Sequence, residues 1–187
     1  MVPVPSRAWR ILSRRELLSA PPWVRVSVEE VELPSGRVVS DFYQVALPDF
    51  ALVVPQTPDG RIVTLMQYKH GVGRVSTMLP AGLVHEGEDP LACGRRELRE
   101  ETGYTSPRWQ PLGSFVVDGN RGCGQAHLFA ALDAQRTAEP VVDELEPLEV
   151  RLASPAEVVQ AVAKGEMAAL AHVAAFMLAL NAGLVRA

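Results

Sequence analysis

Residues 82–104 read GLVHEGEDPLACGRRELREETGY, and this stretch predicts a short helix with an unusual charge pattern. Asp89 followed by Pro90 is typical of a helix start, because the aspartate caps free N–H groups and proline needs no N–H there. Gly103 is typical of the position just after a helix, because glycine readily accepts the left-handed conformation. We therefore expect the helix to end at Thr102.

One side of this predicted helix is suited to burial. At 100° per residue, that side contains Leu91, Gly94, Leu98 and Thr102. A glycine inside a helix costs about 1 kcal/mol relative to alanine. We therefore expect another element to pack very closely against Gly94.

The two flanks of the helix carry opposite charges: Glu97, Glu100 and Glu101 on one, and Arg95, Arg96 and Arg99 on the other. Carboxylates near a helix C-terminus are destabilising, and Glu97 and Glu101 are like charges one turn apart. A solvated face with ion pairs is the simple alternative, but the Arg96–Glu100 pair has the less favourable orientation. Three carboxylates on one ridge fit a hard divalent cation such as Mg²⁺, which takes oxygen ligands.

The same stretch resembles the Nudix box, Gx5Ex7REUxEExGU, in which U is a bulky apolar residue. The matching residues are Gly82, Glu88, Arg96, Glu97, Leu98, Glu100, Glu101, Gly103 and Tyr104. The resemblance implies an α/β protein with the Nudix fold, an α/β/α sandwich around a mixed β-sheet. It also implies Mg²⁺ or Mn²⁺ bound by Glu97, Glu100 and Glu101, with Arg96 orienting the glutamates and the Ala81 carbonyl as a further ligand.

Segments outside the box resemble the ADP-ribose and ADP-sugar pyrophosphatase branch of that family: QYKHGVGR at 67–74, LPAG at 79–82 and EPLEV at 146–150. This resemblance implies hydrolysis of ADP-ribose or an ADP-sugar to AMP and a sugar phosphate. Met78 departs from the branch, where many members carry a glutamate. Lys69 replaces the usual arginine and cannot make its bidentate phosphate contacts.

Alternative functions keep the same box. The substrate could be another nucleoside diphosphate sugar, a dinucleoside polyphosphate or a damaged nucleotide. A non-catalytic module that senses a nucleotide is the third class, although such a module would not need all the glutamates.

The resemblance suggests site residues beyond the box. Glu146 is the candidate general base, because its ExxEV context matches, and Glu144 is the alternative. The candidate substrate-binding residues are Trp23, Phe42, Lys69, Arg74 and Arg121. The two aromatic residues occupy positions similar to those that sandwich adenine in the branch, with simple coverage of the sheet as the alternative.

The remaining sequence predicts mixed strands and helices. We expect strand pairs within 23–47 and 50–68, a loop at 69–77, strands at 109–117 and 126–134 around a glycine-rich loop, and a strand at 148–153. Ser154, Pro155 and Glu157 predict a capped helix, and a final helix is expected from near Glu166. We divide the chain into an N-terminal β-ribbon region, 1–47, and a Nudix domain, 48–187.

Composition limits the other possibilities. The 187 residues are 48 % apolar with a net charge of −4, which gives no electrostatic case for nucleic acid as a partner. No stretch is long and apolar enough for a membrane span, and the two cysteines have no zinc-site or disulfide spacing, so we expect a cytoplasmic protein. The valine-rich ribbon and the alanine-rich last helix offer apolar surface that predicts a homodimer.

Overall fold

The computed structural model describes residues 7–141 and 147–185. The described residues form three helices, α1 (Pro90–Thr102), α2 (Pro155–Ala163) and α3 (Leu170–Asn181). They also form twelve strands, β1 (Arg10–Ala20), β2 (Val24–Glu32), β3 (Val38–Ala46), β4 (Phe50–Gln56), β5 (Ile62–Lys69), β6 (Arg74–Met78), β7 (Ala81–Leu83), β8 (Tyr104–Thr105), β9 (Arg108–Asp118), β10 (Gly122–Leu132), β11 (Gln135–Arg136) and β12 (Leu148–Ala153). The chain divides into two compact units, one comprising the chain up to Pro48 with Val116–Gln125, the other comprising the remainder.

The first unit is built on a three-stranded antiparallel ribbon. The strands β2 and β3 form the predicted hairpin, in which Glu32 lies opposite Val38. The turn places Gly36 at φ 81°, a conformation that glycine adopts without strain. The strand β1 was not predicted; it pairs along β2, and all of its residues are exposed.

The second unit contains a mixed sheet whose central strand is β4. The strand β10 runs parallel to β4, whereas β5 and β12 follow in antiparallel order. Residues 51–55 of β4 are buried without interruption. Such a continuous apolar run is typical of a strand covered on both faces.

Helices cover both faces of this sheet. Leu52 and Val54 belong to a core cluster with Phe176 of α3, whereas Val53 belongs to a second cluster with Leu98 of α1. Alternate residues of β4 therefore point to opposite helical layers. The predicted α/β/α sandwich with a mixed sheet is confirmed. None of the helices in the described part of the chain is long and apolar enough to cross a membrane.

Three local predictions need correction, and one is confirmed. The segment 69–77 is not a loop throughout, because β6 pairs with β5 from Arg74 onward and completes a hairpin. The glycine-rich loop is shorter than expected, since β9 and β10 extend into it. The last helix begins at Leu170 rather than near Glu166. The capping box formed by Ser154 and Glu157 at the start of α2 is present as predicted.

Candidate active site

The helix α1 is capped at both ends as its sequence predicts. Asp89 accepts a hydrogen bond from the Ala92 N–H at 3.0 Å. At the other end Gly103 adopts a φ of 74°, and its N–H donates to the Arg99 carbonyl at 2.8 Å. These caps fix where the helix begins and ends. They therefore fix the position of each glutamate along the helix axis.

The sheet approaches α1 very closely at Gly94. A methyl group there would lie 3.3 Å from the Val53 side chain and 3.5 Å from that of Phe129, so the expected close packing is confirmed. The buried side differs from the prediction at two residues, because Leu91 is half-buried whereas Cys93 is fully buried. Burial raises the pKa of the Cys93 thiol to about 12, which makes it a poor nucleophile at neutral pH.

Gly82 gives Glu97 its place against the sheet. A methyl group at Gly82 would collide with the Glu97 carboxylate, so this carboxylate occupies the space that any larger residue at 82 would fill. The Glu97 side chain is 14 % exposed. Burial raises its pKa, and the neighbouring Arg96 opposes that shift. The first glycine of the box is thus needed for space.

Arg96 joins the box acids into one network. Its guanidinium donates to both Glu88 oxygens at 3.0 and 3.1 Å, to Glu97 at 2.5 Å and to Glu100 at 3.3 Å. It also donates to the Leu83 carbonyl at 3.2 Å. Two helix glutamates and the strand β7 are therefore tied to one side chain.

Glu88 belongs to the site, although no individual role was predicted for it from the sequence. Its hydrogen bonds from Arg96 and from the His85 N–H, the latter 2.9 Å long, lower its pKa to about 2. A carboxylate so firmly ionised is a fixed anchor for the arginine. The signal was present in the sequence, since Glu88 fills a fixed position of the box.

Glu101 contacts Ala81, the residue that directly precedes the box. One of its oxygens accepts a hydrogen bond from the Ala81 N–H at 2.9 Å. Ala81 lies opposite Leu52 in the β7–β4 ladder. Glu100, by contrast, is the outermost of the three helix glutamates, with a side chain that is 49 % exposed.

Lys69 and Arg74 lie opposite each other at the end of the β5–β6 hairpin. The Arg74 guanidinium donates to the Gly165 carbonyl at 2.7 Å. Phosphate binding by Arg74 would use other N–H donors of the guanidinium, which has five.

The sequence profile of the family described as the NUDIX domain matches residues 47–174. This is well over half of the chain. The chain belongs to the Nudix family. A second profile, described as the nucleoside diphosphate sugar hydrolase N-terminal domain, matches residues 9–45.

Individual curated proteins are also similar to this chain. An ADP-ribose pyrophosphatase of Bacillus subtilis (strain 168) is 34 % identical over 104 residues, which cover 56 % of each chain. A CMP-5'-(N-acetyl-N-hydroxy-3-aminopropyl)phosphonate hydrolase of Streptomyces rubellomurinus (strain ATCC 31215) is 40 % identical over 105 residues, covering 50 % of this chain and 48 % of that one. The chain thus spans about half the length of these curated relatives. A crystal structure of an ADP compounds hydrolase superimposes with a TM-score of 0.78 over 92 % of each chain at 18 % identity, which supports the Nudix fold.

Nudix hydrolases generally use a divalent metal, and the donor atoms of this box fit one. Within residues 7–141 and 147–185, no three His, Cys, Asp or Glu side chains already converge on a metal position. The box nevertheless supplies carboxylate oxygens, which are the ligands that Mg²⁺ prefers, and the space beside Gly82 admits one of these carboxylates. In this structure Glu97 is bound to Arg96, and Glu101 is bound to the Ala81 N–H. Glu97, Glu100 and Glu101 are the residues predicted to hold such a cation.

The candidate aromatic residues and Arg121 lie in the first unit. Trp23 is 67 % exposed at the β1–β2 turn, whereas Phe42 packs edge-on against Trp9 at 5.2 Å between ring centroids. Phe42 lies opposite Glu29, six residues from Trp23, which is about 20 Å along a strand. One chain therefore does not bring both rings to the same base. Arg121 pairs with Asp118 at 3.5 Å in the β9–β10 turn.

The two candidate bases, Glu144 and Glu146, lie outside the described residues. The strand β12 begins just beyond them, at Leu148, and pairs with β5 opposite Gln67. Their assignment remains a prediction from the Nudix resemblance.

Proposed function

We propose that the protein hydrolyses the pyrophosphate bond of a nucleoside diphosphate linked to another group, with ADP-ribose or an ADP-sugar as the substrate. The products would be AMP and a sugar phosphate. The observation that carries this proposal is the complete box, in which Glu97 lies beside Gly82 and Arg96 ties it to Glu88. Similarity to an ADP-ribose pyrophosphatase and to the N-terminal domain of nucleoside diphosphate sugar hydrolases supports the substrate class.

Glu97, Glu100 and Glu101, together with the Ala81 carbonyl, would hold the divalent cation, Mg²⁺ or Mn²⁺. When bound, such a cation neutralises pyrophosphate charge and activates water for attack on phosphorus. The Ala81 N–H positions Glu101, and Arg96 positions Glu97 and Glu100. Because Arg96 is also bonded to both oxygens of Glu88, its guanidinium is anchored while it contacts Glu97 and Glu100.

A proton must leave the attacking water, and Glu146 is the proposed general base for this step, with Glu144 as the alternative. A general base contributes when it lies within hydrogen-bond reach of the water. In this proposal neither residue binds the metal. Their substitution should therefore affect turnover more than metal affinity.

Lys69, Arg74 and Arg121 are proposed to bind phosphate or sugar groups. For the adenine we favour Trp23 over Phe42, because the Trp23 ring is largely exposed whereas Phe42 already packs against another aromatic ring. Stacking of a base on an exposed aromatic ring is worth about 1–3 kcal/mol.

We propose that the chain acts as a homodimer, with residues 1–47 serving dimerisation and substrate contacts and residues 48–187 forming the hydrolase domain. The ribbon exposes large apolar side chains, including Trp9, Ile11 and Leu18. Exposed apolar surface of this kind marks an interaction face. Sedimentation equilibrium at micromolar concentration should give twice the 20.3 kDa of one chain; a fully active monomer would refute the dimer.

We place the protein in the cytoplasm. Both Cys93 and Cys123 are free thiols. Reduced thiols are usual in the cytosol, whereas secreted proteins favour disulfides.

A second candidate substrate follows from the relative that hydrolyses a CMP-linked phosphonate. This relative is 40 % identical to the chain, whereas the Bacillus subtilis ADP-ribose pyrophosphatase is 34 % identical over a stretch of similar length. A cytidine nucleotide joined to a phosphonate keeps the P–O–P linkage and changes the base and the leaving group. The box chemistry is the same for both.

A substrate panel tests the proposal. Purified protein is incubated with Mg²⁺ or Mn²⁺ and ADP-ribose, ADP-glucose, UDP-glucose, a CMP-linked phosphonate, a dinucleoside polyphosphate or an oxidised nucleoside triphosphate. We expect the highest kcat/KM for ADP-ribose or ADP-glucose, with AMP and the sugar phosphate as products. Preference for the CMP compound would select the second candidate. Tight binding of a nucleotide without turnover of any compound would indicate a sensing module instead.

A further inference from the structure

The segment just before the box changes its partner strand. The strand β6 pairs with β5 as far as Met78, opposite Leu65. The strand β7 then pairs with β4 from Ala81, opposite Leu52. Leu79 lies between these two ladders, so its buried N–H needs an acceptor from outside the sheet.

His172 of α3 supplies that acceptor. Its Nδ1 accepts a hydrogen bond from the Leu79 N–H at 3.0 Å, and the ring is buried at 7 % exposure. The next residue, Pro80, has no N–H to satisfy, and its carbonyl accepts from the Val53 N–H at 2.9 Å. The crossing between the two ladders is therefore held by one bond from the helical layer and one from the sheet.

The tautomer of His172 follows from this bond. Because Nδ1 is an acceptor, the neutral ring carries its proton on Nε2. Burial, and next the charge of Lys69, lower the pKa of the ring to about 4. His172 is therefore a neutral acceptor at neutral pH.

The same C-terminal segment also holds the strand that leads to the crossing. Ser76 Oγ donates to the Glu166 carbonyl at 2.7 Å and accepts from the Ala168 N–H at 3.1 Å. The Thr77 N–H donates to the Glu166 carbonyl at 2.9 Å. His172 adds the contact of this series that lies nearest to the box.

Three residues beyond Leu79, the chain enters the box at Gly82, directly after Ala81. The Ala81 N–H holds Glu101, and Gly82 makes room for Glu97. The direction in which these two backbone units point depends on how the crossing at Leu79 is fixed. The helix α3, on the face of the sheet opposite α1, is thus bonded to the chain three residues before the box.

We propose that His172 is a positioning residue for the box, acting through the Leu79 N–H to orient Ala81 and Gly82. Its effect on turnover rests on the proposed function. Its effects on the backbone and on metal binding do not need turnover. Supporting residues outside the metal ligands typically change metal affinity or activity by about 10- to 100-fold when replaced.

The test uses three variants of the whole chain. His172→Leu keeps an apolar side chain of similar bulk and removes the acceptor. His172→Asn restores an acceptor oxygen at the place of Nδ1. Phe176→Leu is the matched control, because Phe176 is fully buried one turn further along α3 and perturbs the same core. For each variant we would measure the exchange rate of the Ala81 amide by NMR, the Kd for Mn²⁺ by electron paramagnetic resonance, and the thermal midpoint.

We expect His172→Leu to speed Ala81 exchange and to raise the Kd for Mn²⁺ by about 10- to 100-fold, with recovery toward wild type in His172→Asn. Phe176→Leu should lower the thermal midpoint without either effect. The proposal is overturned if His172→Leu lowers the thermal midpoint but leaves Ala81 exchange and Mn²⁺ affinity as they are in Phe176→Leu. It is overturned as well if wild-type protein binds no Mn²⁺. A wild-type enzyme that binds Mn²⁺ but hydrolyses none of the panel compounds would defeat the proposed function and leave the positioning result standing.

Discussion

The box and the N-terminal ribbon both contain arginine–glutamate pairs, yet the two regions use them differently. In the box, the Arg96 side chain is 26 % exposed and contacts three glutamates. In the ribbon, the Arg10 side chain is 71 % exposed and pairs with Glu32. Exposed pairs contribute little to stability, because water already solvates both charges. Arg96 holds three carboxylates of the box together, whereas Arg10 makes a pair at the surface.

The two regions also differ in how far their apolar residues are buried. The helix α1 buries its apolar side within its own unit, where Leu98 is fully covered. The strand β1 leaves Ile11 and Leu18 about half exposed. The box geometry is thus held by contacts within one unit, whereas the ribbon leaves apolar surface exposed.

The largest expected effect is in the box. Glu101→Gln should lower metal-dependent turnover by at least about 100-fold, because the amide lacks the charge that holds a cation. The fold should survive, since the amide oxygen can still accept from the Ala81 N–H. Steady-state assays with Mg²⁺ and circular dichroism would check both points. Glu86→Gln is the control, because Glu86 is exposed in the same segment but fills no fixed position of the box; equal losses in both variants would refute a specific role.

Loss of the proposed general base should have the next largest effect. Glu146→Gln should lower kcat by about 10²–10⁴-fold, the usual contribution of a general base, with little change in KM or in Mn²⁺ affinity. A comparable loss confined to Glu144→Gln would move the role to that residue. Full activity in both variants would mean that the box needs no glutamate from this segment.

Gly82→Ala tests the space that the box reserves for Glu97. The added methyl group would collide with a carboxylate at the end of a flexible side chain, so the carboxylate should move while the fold persists. We expect Mn²⁺ affinity and turnover to fall by about 10- to 100-fold with little change in thermal midpoint. Gly71→Ala is the matched control, because an added methyl group there meets nothing within 4 Å. Unchanged metal affinity in Gly82→Ala would contradict the placement of Glu97.

Because His172 is buried as a neutral ring, we expect the folded protein to lose stability in acid. The native ring resists protonation down to a pKa of about 4, whereas the unfolded ring titrates near 6.5. Between these values the unfolded state binds more protons, so the free energy of unfolding falls as pH drops from about 6.5 to 4. The total is about 3 kcal/mol. Urea titrations at pH 7 and pH 4.5 should show a larger drop for wild type than for His172→Asn, and parallel drops would contradict the burial of a neutral ring.

The smallest effect is expected in the ribbon. Arg10→Ala should change the free energy of unfolding by less than about 1 kcal/mol, because the pair is exposed. Chemical denaturation with Arg96→Ala measured beside it would give the comparison directly. Similar losses in the two variants would show that the box network stabilises no more than a surface pair.

The box could be predicted from sequence because its determinants are local. The cap at Asp89, the stop at Gly103 and the close approach at Gly94 each follow from a residue type at one position, and each is present in the structure. The carboxylate ridge was visible for the same reason. Helix periodicity alone sorts the charges to one flank.

The remaining features depend on distant partners. The arginines at 14 and 15 interrupt the alternation expected of β1, and the strand forms because β2 lies beside it. The glycines near β6 indicated a loop, whereas β6 in fact forms a hairpin with β5. Nothing local to His172 indicates that it bonds to Leu79, more than ninety residues earlier in the chain. Such contacts form only in the folded chain, and no periodicity or motif in the sequence indicates them.

Removal of the metal tests whether the box supports metal-dependent hydrolysis of a pyrophosphate bond. Purified protein would be incubated with ADP-ribose in excess EDTA, then with Mg²⁺ restored, while AMP and ribose 5-phosphate are quantified by chromatography. We expect no products above background in EDTA and full recovery when Mg²⁺ is restored. Undiminished formation of AMP and ribose 5-phosphate in excess EDTA would contradict metal-dependent hydrolysis.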